Sequence, residues 1–190
     1  KEPNYSYVTA RILLNNIENE VLDFLEIDRK LKSDRTKMYS EALTKTFNKG
    51  IELGFLNKEL KEYDLEKISN SIDESRDFNF TYLGLQTLYD RYFITSDDTR
   101  YELPQVFLMR VAMGLAINEK DRDARAVEFY NLLSSFDYMS STPTLFNSGT
   151  HRPQLSSCYL TTVPDDLSGI YGAIRDNALL SKWAGGLGND

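Results

Sequence analysis

The sequence predicts a helical domain followed by the opening of an α/β domain. Three observations predict it. Apolar residues recur at helical spacing through the first 140 or so of the 190 residues. The texture then changes to a Pro/Ser/Asn/Gly stretch, "STPTLFNSG" (141–149). After it, a strand-like run, "LSSCYLTTV" (155–163), leads directly into a helical pattern over 164–186, which is half of a β-α-β unit.

The elements follow in order. "YSYVTARILLNNIENEVLDFL" (5–25) sets Val8, Ile12, Ile17, Val21 and Leu25 close to a 3.6-residue repeat and predicts one buried stripe. "DRKLKSDRTK" (28–37) interleaves lysines with aspartates and reads as a solvated loop. A second helix is expected over 36–56, weakened near its end by Gly50 and Gly54, and a short third one over 63–73. "FTYLGLQTLYDRYF" (80–93) follows, with Tyr82, Tyr89 and Phe93 as core aromatics, and 94–102 reads as a turn or hairpin tip. "LPQVFLMRVAMGLAI" (103–117) begins with Pro104, where a missing N–H costs little, and is apolar nearly all round, so it is expected at the centre. The segment 120–136 should pack beside it through Ala126, Phe129, Leu132 and Leu133. Over 141–149 a loop is expected, and over 155–163 a strand rich in β-branched and aromatic residues. The last helix should start on Asp165 as N-cap, present Leu167, Ile170, Ile174 and Leu180 on its apolar side, and stop at Gly185 and Gly186.

Composition narrows the function classes. With 41% hydrophobic and 12% aromatic residues the chain can bury a core. A net charge of −7 argues against nucleic acid or an anionic membrane as main partner. One cysteine cannot form an internal disulfide, and no apolar run approaches the roughly 20 residues of a membrane span, so a cytoplasmic setting is expected. The chain starts at Lys1 and stops in "WAGGLGND", a glycine-rich turn, and is expected to be a piece of a longer protein.

The chemistry centres on Cys158, the one thiol. Free cysteines are usually buried small hydrophobes. Against that, Ser156 and Ser157 beside it are small and polar, and strand alternation sends Cys158 to the face opposite Ser157. The residues alone leave both readings open. A Cys–His hydrolase is not supported, because His151, the one histidine, sits in a loop without an orienting carboxylate and reads as a surface residue. There is no CxxC, no HxxxH and no helical array of carboxylates, so no metal site is expected. "GGLG" (185–188) lacks both GxGxxG and a phosphate-loop lysine. Asp165 and Asp166, at a helix start, are most simply a cap and a dipole partner.

Five segments in order carry a resemblance: "EPNYSYVTARILL" (2–14), "SRDFNFTYLGLQTLYDRYFI" (75–94), "PTLFNSG" (143–149), "QLSSCYL" (154–160) and "AGGLGN" (184–189). Together they resemble the large, catalytic subunit of class I ribonucleotide reductases. The resemblance implies a helical domain over 1–153 and, over 154–190, the first strand and helix of a ten-stranded α/β barrel. It implies reduction of ribonucleoside diphosphates to 2′-deoxyribonucleotides by a thiyl radical. Cys158 matches the first cysteine of the reducing pair. Thr144, Ser157 and Gly185 match substrate-binding positions. Asp165, Asp166 and Leu167 match the place where a nucleoside triphosphate specificity effector binds, and the helix 167–183, with Leu179 and Trp183, would lie in a homodimer interface. Asp166 departs from the family's more usual smaller polar residue. No cofactor is implied in this chain. The implied partners are the remainder of the catalytic subunit, a metal-containing small subunit that supplies the radical, and thioredoxin or glutaredoxin as reductant. The thiyl cysteine, the second reducing cysteine and the acid–base glutamate would all lie downstream, so the chain alone is expected to be inactive. Two rivals remain: a non-catalytic helical interaction module, and a piece of a cobalamin-dependent reductase, which needs no small subunit.

Overall fold

The structure, a computed structural model, describes residues 4–182 and 186–190. Its helices are α1 (Tyr5–Phe24), α2 (Arg35–Glu52), α3 (Leu65–Asn70), α4 (Tyr82–Arg91), α5 (Pro104–Ala116), α6 (Arg122–Ser134), α7 (Thr142–Asn147) and α8 (Leu167–Lys182). A two-residue hairpin, β1 (Thr95–Ser96) and β2 (Thr99–Arg100), turns through Asp97 and Asp98, both at positive φ. β3 (Cys158–Thr161) and β4 (Gly186–Asn189) pair in parallel across α8, completing a β-α-β unit. Helix starts are chemically explicit. The side chains of Asp34, Asp64, Thr81 and Asp121 each accept from the backbone N–H three residues on, which satisfies one of the donors a first turn leaves unpaired.

The core lies among α1 to α6, with α5 at its centre. From Pro104 to Met113 every residue of α5 is buried, as the apolar run predicts. The continuous core runs from Leu14 to Leu145, and after Leu145 Ala173 is the one buried hydrophobic residue among those described.

Several expectations need correction. The buried stripe of α1 is Ala10, Leu14, Ile17, Val21 and Leu22, continuing to Leu25, while Val8 and Ile12 are exposed. Two residues of offset on a helix is about 200° of rotation, so Val8 and Ile12 face away from the stripe that Leu14 and Ile17 define. Tyr82 and Leu132 are exposed rather than core, and Tyr130 is the buried residue of α6 that stands between Ala126 and Leu133. The segment 28–37 is not a solvated loop. It forms a 3₁₀ turn over Arg29–Ser33 and the start of α2. Lys32 and Arg35 fold inward there, because Glu18 on α1 and Asp77 are buried carboxylates that need cations. The segment 141–149 contains a helix, α7, with Pro143 in its first turn. "GLGN" is a strand rather than the end of a turn, its glycines held extended by the ladder to β3. Asp166, not Asp165, caps α8, its Oδ1 accepting from Gly169 N–H at 2.9 Å. Leu167, Ile170 and Ile174 do not reach a core and are exposed.

Asp77 ties three helices together, α1 by way of Arg35. Its Oδ2 accepts from Tyr39 Oη (2.5 Å) on α2 and Arg35 Nη2 (2.7 Å), and its Oδ1 from Gln105 Nε2 (2.9 Å) on α5. Arg35 also donates to Glu18 on α1. Burial pushes the Asp77 carboxyl from 3.8 up to about 6, against the opposing pull of Tyr39, Gln105 and Arg35. The folded chain therefore holds this proton more tightly than the unfolded chain. The resulting stability is present below about pH 4 and lost as the pH rises through about 6, an effect of at most about 3 kcal/mol. Asp77→Asn should remove that slope. In urea titrations the stability of the wild type relative to the variant should fall between about pH 4 and 7. Parallel profiles would contradict it.

Candidate functional site

The thiol of Cys158 is free and exposed. α8 covers one face of the β3–β4 pair: Thr161 Oγ1 donates to Asn177 Oδ1 at 3.3 Å, and Asn177 Nδ2 donates to Asn189 Oδ1 at 2.7 Å. Period-2 alternation places Tyr159 and Thr161 on that covered face and Cys158 and Leu160 on the other. Leu160 is 92% exposed, so the Cys158 face is open. Opposite these two side chains the register puts Gly186 and Gly188. A Cβ on Gly186 would lie 3.2 Å from the Ser157 carbonyl oxygen and 3.6 Å from Cys158 Sγ. The absence of a side chain there leaves bare backbone beside the thiol, which allows close approach.

The backbone leading to Cys158 is held by hydrogen bonds. The four carbonyls that precede it all accept hydrogen bonds. Asn147 Nδ2 donates to Gln154 O (2.8 Å), Thr144 Oγ1 to Leu155 O (3.2 Å), Gln154 Nε2 to Ser156 O (2.5 Å), and Gly186 N–H to Ser157 O (2.9 Å). Gln154 Nε2 also donates to Tyr159 Oη at 2.6 Å. Thr144 and Asn147 stand three residues apart on α7, one turn of helix, and so point the same way. An open pocket of about 600 Å³ lies alongside, lined by Asn147, Arg152, Pro153, Gln154, Tyr159 and Leu180.

α7 is itself anchored by a buried ion pair. Arg110 on α5 and Glu102 are both fully buried. Arg110 Nε donates to Glu102 Oε1 at 2.6 Å, and its guanidinium also reaches Ser148 O (2.6 Å) and Leu145 O (3.5 Å) at the end of α7. Glu102 Oε2 accepts from Ile94 N–H at 2.8 Å. Sequence reasoning missed this pair. The available signal was the one charged residue, Arg110, inside a largely apolar helix, a position that demands a buried anion.

The residues expected at a site fall out as follows. Thr144, Ser157 and Cys158 converge, Thr144 through the carbonyl of Leu155, three positions before Cys158. The Thr144 hydroxyl proton is committed to that carbonyl, leaving its lone pairs for a ligand. Gly185 and Trp183 lie outside the described residues. Asp165, Asp166 and Leu167 are exposed where β3 leads into α8, and Asp166 is occupied in capping. His151 is exposed, its N–H and Nδ1 against Phe55 O. Among the described residues no group of His, Cys, Asp and Glu could hold a metal, and no helix is long and apolar enough to cross a membrane.

A helical domain leading into a parallel β-α-β unit with an exposed thiol on its first strand defines a class, and comparison with known proteins identifies it. Residues 78–153 match the family described as ribonucleotide reductase, all-alpha domain. Over all of its length the chain is 51% identical to the ribonucleoside-diphosphate reductase subunit alpha of Chlamydia muridarum. Over 99% of its length it is 41% identical to the subunit alpha of Helicobacter pylori and 35% identical to the large subunit of Danio rerio. The chain belongs to the ribonucleotide reductase large-subunit family. It spans 18%, 22% and 23% of these relatives, respectively.

Proposed function

We propose that this chain is part of the catalytic subunit of a ribonucleoside-diphosphate reductase and that Cys158 is one of the two thiols that reduce the substrate. The carrying observation is the exposed thiol on the open face of β3, beside bare backbone at Gly186, in a chain alike to such subunits over its whole length. The proposed boundary falls at 153/154, consistent with a core that ends at Leu145. Residues 154–190 would then begin a ten-stranded barrel.

In this reading a thiyl radical, formed elsewhere in the subunit at the expense of a radical from a metal-containing small subunit, takes the substrate's 3′-hydrogen and later returns it. Cys158 protonates the departing 2′-hydroxyl, which leaves as water. Cys158 and a second thiol outside this chain together give up two electrons and two protons. The C2′–O bond is replaced by C2′–H, and the thiols end as a disulfide. An external dithiol of the thioredoxin or glutaredoxin kind returns them to the thiol state. Thr144, Ser157 and Gly185 would hold the ribonucleoside diphosphate. Asp165, Asp166 and Leu167 would lie at a nucleoside triphosphate effector site, and the exposed apolar side of α8 (Leu167, Ile170, Ile174, Leu179) would meet a second large subunit.

The test is Cys158→Ser in the full-length subunit, assembled with its small subunit and supplied with a dithiol. Serine keeps the size of the side chain but cannot form a disulfide, so multiple turnover should fall to background while assembly is unchanged. Sustained turnover in that variant would overturn the proposal.

A further inference from the structure

The mechanism above needs Cys158 Sγ at a defined place, yet β3 has one described neighbour, β4, and its opposite face is open. A strand end of this kind is ordinarily free to move. Here the run leading to it is not. Carbonyls 154, 155 and 156 precede the β3–β4 ladder, and all three are held by side-chain donors.

We propose that Asn147 and Gln154 are positioning residues that fix the backbone leading into β3 and thereby the placement of Cys158. Their geometry separates them from ordinary loop contacts. Asn147 reaches across from α7, which the buried Arg110 holds through the Ser148 and Leu145 carbonyls, so the position of the helical core is passed on to Gln154 O. Gln154 then spends both amide protons locally: one on Ser156 O, two residues before the thiol, and one on Tyr159 Oη, one residue after it. The thiol is thus bracketed on both sides by a single amide. Neither residue needs to touch substrate for this. The inference rests on the catalytic reading of Cys158, but the fixing of the backbone can be measured apart from it.

The experiment uses the full-length subunit with its small subunit and compares wild type, Asn147→Ala, Gln154→Glu and Cys158→Ser. Gln154→Glu keeps the size of the side chain but replaces two donors with acceptors facing Ser156 O. Two readouts are taken. In Asn147→Ala and Gln154→Glu, amide hydrogen exchange across 158–161 should quicken by about tenfold or more while α5 is unchanged. Their kcat per folded molecule should fall by about 10²-fold, with KM for the ribonucleoside diphosphate altered less than about threefold, because a small misplacement of a reacting group acts on the chemical step. Unchanged exchange across β3, or a kcat within about twofold of wild type, overturns the inference. So does a lower melting temperature with kcat per folded molecule intact, since that is what a merely structural role produces. Turnover surviving in Cys158→Ser would instead sink the catalytic reading, leaving the exchange result to decide whether the clamp exists.

Discussion

Gly114→Ala is expected to destabilise this chain by about 3 kcal/mol or more, the upper end of what overpacking costs. α5 passes so close to the loop after α7 that a Cβ on Gly114 would lie 2.0 Å from Gly149 N, 2.4 Å from Ser148 Oγ and 2.6 Å from the Ser148 carbonyl carbon. Two of these three atoms are backbone, so no rotamer change relieves the overlap. Nor can the loop retreat cheaply. Ser148 Oγ donates to Val111 O at 2.7 Å, Ser148 O accepts from Arg110, and Gly149 O accepts from Asn57 N–H at 3.0 Å. Gly149 is itself at φ +76°, where any other residue would be strained. Moving the loop by the ångström or more that a methyl requires would break several of these bonds inside the core. Gly172→Ala is the control. It lies on exposed α8 with nothing within 4 Å of the added Cβ, and should be neutral or stabilising by up to about 1 kcal/mol. Urea unfolding of the three proteins decides it. Coincident midpoints for wild type and Gly114→Ala would mean that the close approach does not exist.

The same contrast explains what could be read from the sequence. α5 was legible because its signal is local: Pro104 opens it and a run follows that is apolar but for Gln105 and Arg110. The hairpin at 95–100 and the strand at Cys158 were legible for similar reasons. α7 was not, because six residues cannot sustain a helix on propensity, and the segment contains Pro, Asn and two Thr. What stabilises it is Arg110, more than thirty residues earlier in the chain, capturing the carbonyls at its end. β4 was hidden by its glycines, which argue for a turn until a partner strand is known. On α1 the apolar residues admit two faces two positions apart, and only the placement of α4 and the carboxylate of Glu18 chooses between them. The candidate site divides in the same way. The strand and the thiol were visible, and the resemblance matched Thr144 and Ser157 to substrate-binding positions. The side-chain donors that hold carbonyls 154–156 were not, since a sequence gives no sign of which amide will meet which carbonyl.

Glu102→Leu should be the more damaging of the two single changes to the buried Glu102–Arg110 pair. Each single change to the buried pair is expected to cost about 3–5 kcal/mol, because it leaves an uncompensated charge in the core. The two orphans are not equivalent. In Arg110→Met the remaining carboxylate keeps the Ile94 N–H as a hydrogen-bond partner. In Glu102→Leu the remaining guanidinium is a buried cation without its carboxylate, and Ile94 N–H is orphaned besides. The double variant Glu102→Leu/Arg110→Met removes both charges, so its cost should fall well short of the sum of the singles. It should still not reach wild-type stability. The carbonyls of Ser148 and Leu145 would be left without their donor, at about 1–3 kcal/mol each where they stay buried. That residue of cost isolates what Arg110 does beyond neutralising Glu102: it holds the end of α7, from which Thr144 and Asn147 reach the backbone leading to Cys158. Additive single and double costs, or equal costs for the two singles, would show that the pair is not buried as a unit and that α7 is held by something else.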